Sequence, residues 1–158
     1  MNMNVPPIFP PASHLCSIRC DVGPLVSLGP APLGERRYVS LLGGDVSGPH
    51  LQGSIVPGGV DWQIARQDGV LEIDARYVIA LNDGALVEVE SRGLRHGPAE
   101  VMCRLAAGEP VAPTEYFFRT AMRFTTGAPA WRHLNTVLAV GVGNRQAGCV
   151  LIEVFRLS

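Results

Sequence analysis

The chain has 158 residues, and all 13 of its basic side chains are arginine. Without lysine it has no amine for Schiff-base or pyridoxal phosphate chemistry and no phosphate-loop lysine, so these enzyme classes are excluded. Its 14 acidic residues balance the arginines, so no basic excess indicates a nucleic-acid partner, and the length predicts one domain.

The sequence predicts a cytoplasmic protein. No apolar run reaches the ~18 residues of a membrane span, and the first residues do not resemble a secretory signal. The four cysteines are too scattered for a disulfide scaffold, and we expect reduced thiols. Cys16 and Cys20 share one face of a predicted strand, where small buried side chains are the favoured interpretation.

In chain order, a proline-rich arm over residues 1–13 precedes a single β-domain over residues 14–158. Short apolar segments between glycine and proline turns predict about nine strands. They are residues 14–22, 36–42, 51–56, 60–66, 70–81, 85–95, 116–126, 134–142 and 150–157. A turn-rich link separates the first two strands. Gly43-Gly44 and Pro57-Gly58-Gly59 are interpreted as turns at strand ends.

One short helix is predicted over residues 98–106, because a proline stands at its start and Gly108 just past its end. Residues 129–133 could add one helical turn. The pattern as a whole predicts an all-β fold: a single antiparallel closed or nearly closed β-barrel of eight to nine strands with one short helix.

The register of the clearest hairpin follows from its own alternation. Apolar faces of residues 70–81 and 85–92 meet only if the loop has three residues, with Gly84 in the left-handed conformation. This register places Asp74 opposite Arg92 and Arg76 opposite Glu90.

Several chemistries have no support in the sequence. The four histidines are isolated, no Cys-x-x-Cys or nucleophile elbow occurs, and no glycine motif matches a dinucleotide site. The histidines are His14, His50, His96 and His133. We therefore expect no metal and no cofactor.

Carboxylates and arginines remain as candidate functional groups. Asp74 and Arg76 share one strand face, which is either an exterior ion-pair ladder or the wall of a polar lumen, and the pattern alone favours the ladder. Asp61 beside Trp62 suits either a pocket mouth or a turn with a core indole. Arg119 among aromatics is either an interior anion clamp or part of a surface ion pair.

Seven short segments together resemble a known family. They are Gly34-Glu35-Arg36, Gly43-Gly44 with Gly48-Pro49, Pro57-Gly58-Gly59-Val60-Asp61-Trp62, Asp74-Ala75-Arg76-Tyr77, Asp83-Gly84-Ala85, Tyr116-Phe117-Phe118-Arg119-Thr120, and Trp131 with Leu134-Asn135. Their order and spacing resemble the bacterial and fungal "domain of unknown function" family number three-two-three-seven, from about Ile18 to the C-terminus.

The resemblance implies a compact antiparallel barrel that forms a homo-oligomer, similar in architecture to allene-oxide-cyclase-like and lipocalin-like barrels. Because the signature segments contain the acid and arginine candidates, it favours an interior or rim position for them. The implied catalytic residues are Asp61, Asp74, Arg76 and Arg119, and the implied substrate-binding residues are Trp62, Tyr77, Tyr116, Trp131 and Asn135. Trp131 stands two residues further from Leu134-Asn135 than the family pattern has it, so Asn135 is the firmer match.

Two functional hypotheses follow. The first is a cofactor-independent isomerase, cyclase or lyase, in which a carboxylate moves a proton and arginine stabilises an oxyanion on an apolar or aromatic carbonyl metabolite. The second is a non-catalytic barrel that binds an apolar or aromatic ligand, for which the Asp74–Arg92 and Arg76–Glu90 pairs would face solvent. Both hypotheses predict a small-molecule partner. Neither of them predicts binding to nucleic acid or to a membrane.

Overall fold

The computed structural model describes residues 8–158, and this part of the chain forms a closed antiparallel β-barrel of eight strands. Each strand pairs with the next, and the last closes on the first. The strands are β1 Ala12–Ala31, β2 Gly34–Ser47, β3 Gly53–Ala65, β4 Leu71–Leu81, β5 Leu86–His96, β6 Phe117–Thr125, β7 Leu138–Gln146 and β8 Cys149–Leu157. The predicted fold class is confirmed.

Two glycine-rich segments that were predicted as turns are bulges inside continuous strands. The register shifts between Leu41 and Gly44 in β2 and between Val56 and Val60 in β3. A side chain at Gly44 would collide with the Arg19 carbonyl of β1, so only glycine fits there. Bulges bend strands sharply, and a small barrel needs this bending to close. Residues 51–56 and 60–66 therefore belong largely to one strand, β3.

The predicted link after the first strand is also strand. β1 continues to Ala31 and pairs with β2 up to the Ala31–Gly34 pair. Pro24 is tolerated because it lies inside the register shift between Val22 and Leu25, and Pro30 lies at the end of the strand, opposite Glu35. Of the predicted arm, residues 1–7 lie outside the described residues, and the strand begins at Ala12.

The β4–β5 hairpin has the predicted register. Asp74 pairs with Arg92 and Arg76 with Glu90. The Gly84 amide donates to the Leu81 carbonyl, and Gly84 has a φ of +89°. The three-residue loop is therefore confirmed, together with its left-handed glycine.

A helix covers one end of the barrel. Helix α1, Ala99–Ala106, buries Val101 and Leu105, and Gly108 follows with a φ of +77° as predicted. A 3₁₀ segment, Pro129–Thr136, is longer than the predicted turn and delays the start of β7 to Leu138. No helix within residues 8–158 is both long and apolar enough to cross a bilayer.

The inward side chains form two apolar clusters. The larger fills the barrel from Leu15 to Val154, and the smaller lies beneath α1. The smaller cluster comprises Leu71, Ile73, Val101, Leu105, Val111, Tyr116 and Phe118. Between the clusters the inner wall carries polar side chains, which define the site described next.

Candidate functional site

Asp61 lies on the inner wall of the barrel. It pairs with Val39 of β2 and Ala75 of β4, and Ala75 is a buried, inward residue. Its Oδ2 accepts a hydrogen bond of 2.7 Å from Gln63 Nε2, and Gln63 Oε1 accepts one of 3.0 Å from Arg37 Nε. The amide of Gln63 therefore fixes the carboxylate and the guanidinium in one chain of hydrogen bonds.

A cavity of about 160 Å³ lies next to these hydrogen-bonded side chains. Its wall includes Asp61 and Gln63 together with residues of six other strands and Ala106 of α1. Leu25 of β1 and Ala106 are exposed, so they mark the mouth of the cavity. Because a cavity of roughly 150 Å³ holds a benzene ring, the volume suits a small organic molecule.

Three arginines line this cavity from strands far apart in sequence: Arg37, Arg95 and Arg145. Arg95 is only 8% exposed, and within residues 8–158 its Nε has no hydrogen-bond partner. Arg145 Nη1 donates to the Leu105 carbonyl of α1 at 2.7 Å. With one carboxylate against three guanidinium groups, the cavity carries an excess of positive charge and suits an anionic group.

A second, deeper compartment of about 50 Å³ continues into the barrel. It shares Asp61 and Phe118 with the outer cavity, so the carboxylate lies at the boundary of the two. Its wall is mainly apolar but includes Tyr77 and Thr120. Within the described part of the chain, Asp61 Oδ1, the Tyr77 hydroxyl and Thr120 Oγ1 are buried without a partner.

Burial shifts the ionisation of the inner groups. It raises the pKa of Asp61 to about 6, although the Gln63 hydrogen bond and the Arg95 charge oppose the shift. Burial, with the charges of Arg145 and Arg37 added, lowers the pKa of Arg95 to about 10, so this guanidinium stays charged at neutral pH. Burial also raises the pKa of Cys20 to about 11, so its thiol in the deep compartment stays protonated.

Phe118 shapes both compartments and supports Arg95. The Arg95 guanidinium carbon lies 5.6 Å from the centroid of the Phe118 ring. A Cβ atom at Gly143 on β7 would lie 2.6 Å from ring atoms of Phe118, so the ring occupies the space that this glycine leaves. Gly143 thereby sets the position of a ring that lines the whole site.

The expectation that Asp74 and Arg76 face the interior is wrong. Both lie on the outer face of β4, where Arg92 Nε is 3.2 Å from Asp74 Oδ1 and Arg76 Nη2 is 2.8 Å from Glu90 Oε2. Alternation decides this, because the apolar residues between them must point into the core. They form the exterior ladder that the pattern alone favoured.

Arg119 and Trp62 are also on the outside, contrary to expectation. Arg119 donates to the Phe118 carbonyl at 2.9 Å and lies over the Phe117 ring, while Phe118 takes the inward position. Trp62 is 37% exposed and its ring centroid is 5.1 Å from that of Tyr38. Since neighbours on a strand face opposite sides, an inward Asp61 requires an outward Trp62.

The remaining predicted binding residues divide between the site and its surroundings. Tyr77 lines the deep compartment, whereas the Tyr116 hydroxyl accepts a hydrogen bond from the Arg145 amide and Trp131 Nε1 donates to Asp83 Oδ2 at 2.7 Å. Asn135 holds the backbone of Thr126 through two hydrogen bonds. These contacts give Trp131 and Asn135 a role in fixing loops.

The sequence interpretation missed Arg37, Gln63, Arg95, Arg145 and Thr120. Alternation contained a signal for two of them: Gln63 is two residues from Asp61, and Arg95 continues the inward series of Val87, Val89, Ser91 and Gly93. A guanidinium at the end of an apolar face is easily interpreted as a surface group. Only closure of the barrel brings these strand ends together.

The chain is similar to a known protein family and to several solved structures. The family model "Protein of unknown function (DUF3237)" matches residues 10–157. The UPF0311 protein RPA1785 of Rhodopseudomonas palustris is 39% identical over 144 residues, which cover 91% of this chain and 94% of that protein. The UPF0311 protein blr7842 of Bradyrhizobium diazoefficiens is 35% identical with the same coverage.

Solved structures show the same barrel. The crystal structure of RPA1785 has a TM-score of 0.91 at 36% identity and covers 96% of this chain and all of that one. An enzyme from Penicillium herquei has a TM-score of 0.76 at 22% identity over 99% of this chain and all of that one, a likeness that concerns the fold alone. With the family model matching nearly the whole chain, this protein belongs to the DUF3237 family.

Proposed function

We propose that the barrel interior binds a small apolar or aromatic carbonyl metabolite and catalyses a cofactor-independent proton transfer on it, of isomerase, cyclase or lyase type. Asp61 takes and returns the proton, and Arg95, with Arg37 and Arg145 around the same cavity, holds the oxyanion. The observation that carries the proposal is the buried Oδ1 of Asp61, which has no partner within residues 8–158 and belongs to a residue that lines a cavity together with three arginines.

Asp61 suits a proton-transfer role. Its pKa of about 6 leaves it ionised at neutral pH, yet makes it more basic than a carboxylate in water. Gln63 occupies Oδ2 and so directs the other oxygen toward the ligand. When the carboxylate removes a proton from the carbon next to a carbonyl group, the electron pair moves to the carbonyl oxygen and forms an enolate.

Arg95 suits stabilisation of that enolate oxygen. A buried guanidinium with an unpartnered Nε, among the residues described, is a hydrogen-bond donor that a bound oxyanion would satisfy. Its interaction with a developing negative charge is strong because water is largely excluded around it. Arg37 is already held by Gln63 and Arg145 by α1, so Arg95 is the principal donor.

The non-catalytic barrel is the second candidate, and one observation favours it. The four side chains of the β4–β5 ladder are solvent-facing pairs, as that hypothesis expects, and Asp74, Arg76 and Arg119 contribute nothing to the cavity. The enzyme hypothesis therefore rests on Asp61 and the inner arginines. The presence or absence of turnover distinguishes the two.

Exchange of carbon-bound hydrogen with deuterated water tests the proposal. Phenylpyruvate and 4-phenyl-2-oxobutanoate are small aromatic anions with exchangeable hydrogens next to a ketone, and loss of their proton NMR signals measures proton transfer. We expect the wild type to accelerate exchange, Asp61→Asn to abolish the acceleration, and the exposed matched control Asp74→Asn to retain it. Binding of both compounds without accelerated exchange would support the non-catalytic barrel, and equal rates for the two variants would exclude Asp61 as the base.

A further inference from the structure

The deep compartment contains two hydroxyl groups that the proposed proton transfer does not use. Tyr77 is 5% exposed and Thr120 4%, and both line this compartment of about 50 Å³ with Asp61. Within residues 8–158, neither hydroxyl has a hydrogen-bond partner, and the same holds for Asp61 Oδ1. A buried polar atom without a partner costs about 1–3 kcal/mol, so three around one small space indicate that a ligand group satisfies them.

The chemistry of these atoms defines that group. Tyr77 and Thr120 can each donate one hydrogen bond, whereas the Asp61 carboxylate accepts. A hydroxyl group is complementary to all three, because its oxygen accepts two hydrogen bonds and its hydrogen is donated to Oδ1. A carbonyl oxygen would satisfy the two donors and leave the carboxylate oxygen unpaired.

The charge distribution excludes an anion from this compartment. Among the described residues that line it, none is an arginine or a histidine, and its carboxylate is Asp61. Negative charge belongs instead in the outer cavity with Arg37, Arg95 and Arg145. The two compartments therefore discriminate between two oxygens of one ligand.

We propose that Tyr77 and Thr120 form a second subsite that binds an uncharged hydroxyl group of the ligand, so that the substrate is a small hydroxy-substituted anion. This inference rests on the proposed function, because it assigns the arginine cavity to the anionic end of the same ligand. The hydroxyl group lies in the deep compartment beside Asp61, and the charged oxygen lies near Arg95. The apolar body between them contacts Phe118 and Val150, which line both compartments.

Dissociation constants of simple benzoates measure the contribution of the hydroxyl group. The probes are benzoate, the three hydroxybenzoate isomers, which vary the separation of the two oxygens, and the matching fluorobenzoates, which control for size. We expect at least one hydroxybenzoate to bind the wild type roughly three- to tenfold more tightly than benzoate, since one neutral hydrogen bond has about this effect. The fluorobenzoate should show no such gain.

Two variants and two matched controls locate the effect. Tyr77→Phe and Thr120→Val should each reduce the preference for the hydroxybenzoate while the affinity for benzoate stays within about twofold. Tyr38→Phe removes a hydroxyl from the outer face, and Thr125→Val changes an exposed residue of β6, so both controls should keep the preference. Thr120→Val keeps the test valid if Tyr77→Phe does not fold.

Several results would overturn the inference. If no hydroxybenzoate binds more tightly than benzoate, the subsite does not exist. If Tyr77→Phe and Thr120→Val shift the melting temperature but leave the preference unchanged, the hydroxyls serve an ordered water only. Failure of the proposed function looks different: the preference for hydroxybenzoate persists, but the wild type does not accelerate deuterium exchange of the oxo acids.

Discussion

Gln63 donates a hydrogen bond of 2.7 Å to Oδ2 of Asp61 and leaves Oδ1 of that carboxylate buried with no partner among residues 8–158. The pair lies on the inner wall of β3, two residues apart, and its orientation is fixed from the other side by Arg37. A carboxylate held by one oxygen while the other faces a cavity is arranged for binding or proton transfer. Stability alone would favour both oxygens paired.

The pH dependence of stability should change when Asp61 is replaced by asparagine. The pKa of Asp61 is about 6 in the folded protein and 3.8 without burial, so the unfolded chain loses this proton first as the pH rises. The ionised carboxylate therefore destabilises the fold by about 3 kcal/mol well above pH 6, and this penalty falls below about 1 kcal/mol near pH 4.

Urea unfolding between pH 4 and 8 measures this effect. Asp61→Asn should be more stable than the wild type by about 3 kcal/mol at pH 8, and the difference should shrink to less than about 1 kcal/mol near pH 4. Asp74→Asn, on the outer face, should show no such gain. A constant difference across the range would contradict a raised pKa at Asp61.

The buried charge of Arg95 should destabilise the folded state. Burial and two neighbouring arginines lower its pKa, so replacement by methionine, which fills similar space, should stabilise the fold by about 1 kcal/mol. The same variant should lose benzoate binding at least tenfold. Arg76→Met, at an exposed ion pair, should do neither, and loss of stability in Arg95→Met would show that the guanidinium supports the fold.

Gly143→Ala should disturb the site through Phe118. Its added methyl group would press on the Phe118 ring, which lies under Arg95, and overpacking of this kind costs about 1–3 kcal/mol. Thermal unfolding should show this loss, and benzoate binding should weaken with it. Gly127→Ala is the matched control, because nothing lies within 4 Å of a Cβ atom there.

The exterior ladder should contribute little to the stability of the fold. A double-mutant cycle of Asp74→Ala and Arg92→Ala should give a coupling energy of about 0.2–1 kcal/mol that decreases as salt is added, because both side chains are exposed. Ligand binding should be unchanged in all three variants. A coupling energy above about 2 kcal/mol, or a loss of ligand binding, would show that Asp74 and Arg92 belong to the functional site.

Much of the fold could be predicted because its signals are local. The alternation of β4 and β5 and the position of Gly84 predicted the three-residue loop and both cross-strand ion pairs correctly. The sequence predicts turns at Gly43-Gly44 and Pro57-Gly58-Gly59, since a bulge and a turn use the same residues. What separates them is whether the strand continues to pair afterwards, and this depends on strands elsewhere in the chain.

The candidate site was predicted only in part. Asp61 and Tyr77 were identified by sequence and lie on the inner wall, whereas Asp74, Arg76 and Arg119 were expected inside and lie on the outer face. Their own alternation favours the outer face, whereas the family resemblance favours the interior. A signature segment contains residues of both faces, so membership in one does not decide orientation.

Sequence alone determined the all-β class, the hairpin register and the chemistries that a chain without lysine lacks. The tertiary structure decided which polar groups meet: Arg37, Arg95 and Arg145 come from β2, β5 and β7 and share one cavity with Asp61. The physical reason is the range of the interaction. Strand alternation and turn conformation depend on a few neighbouring residues, but the contents of a barrel are set by closure of β8 on β1, which links residues more than a hundred positions apart.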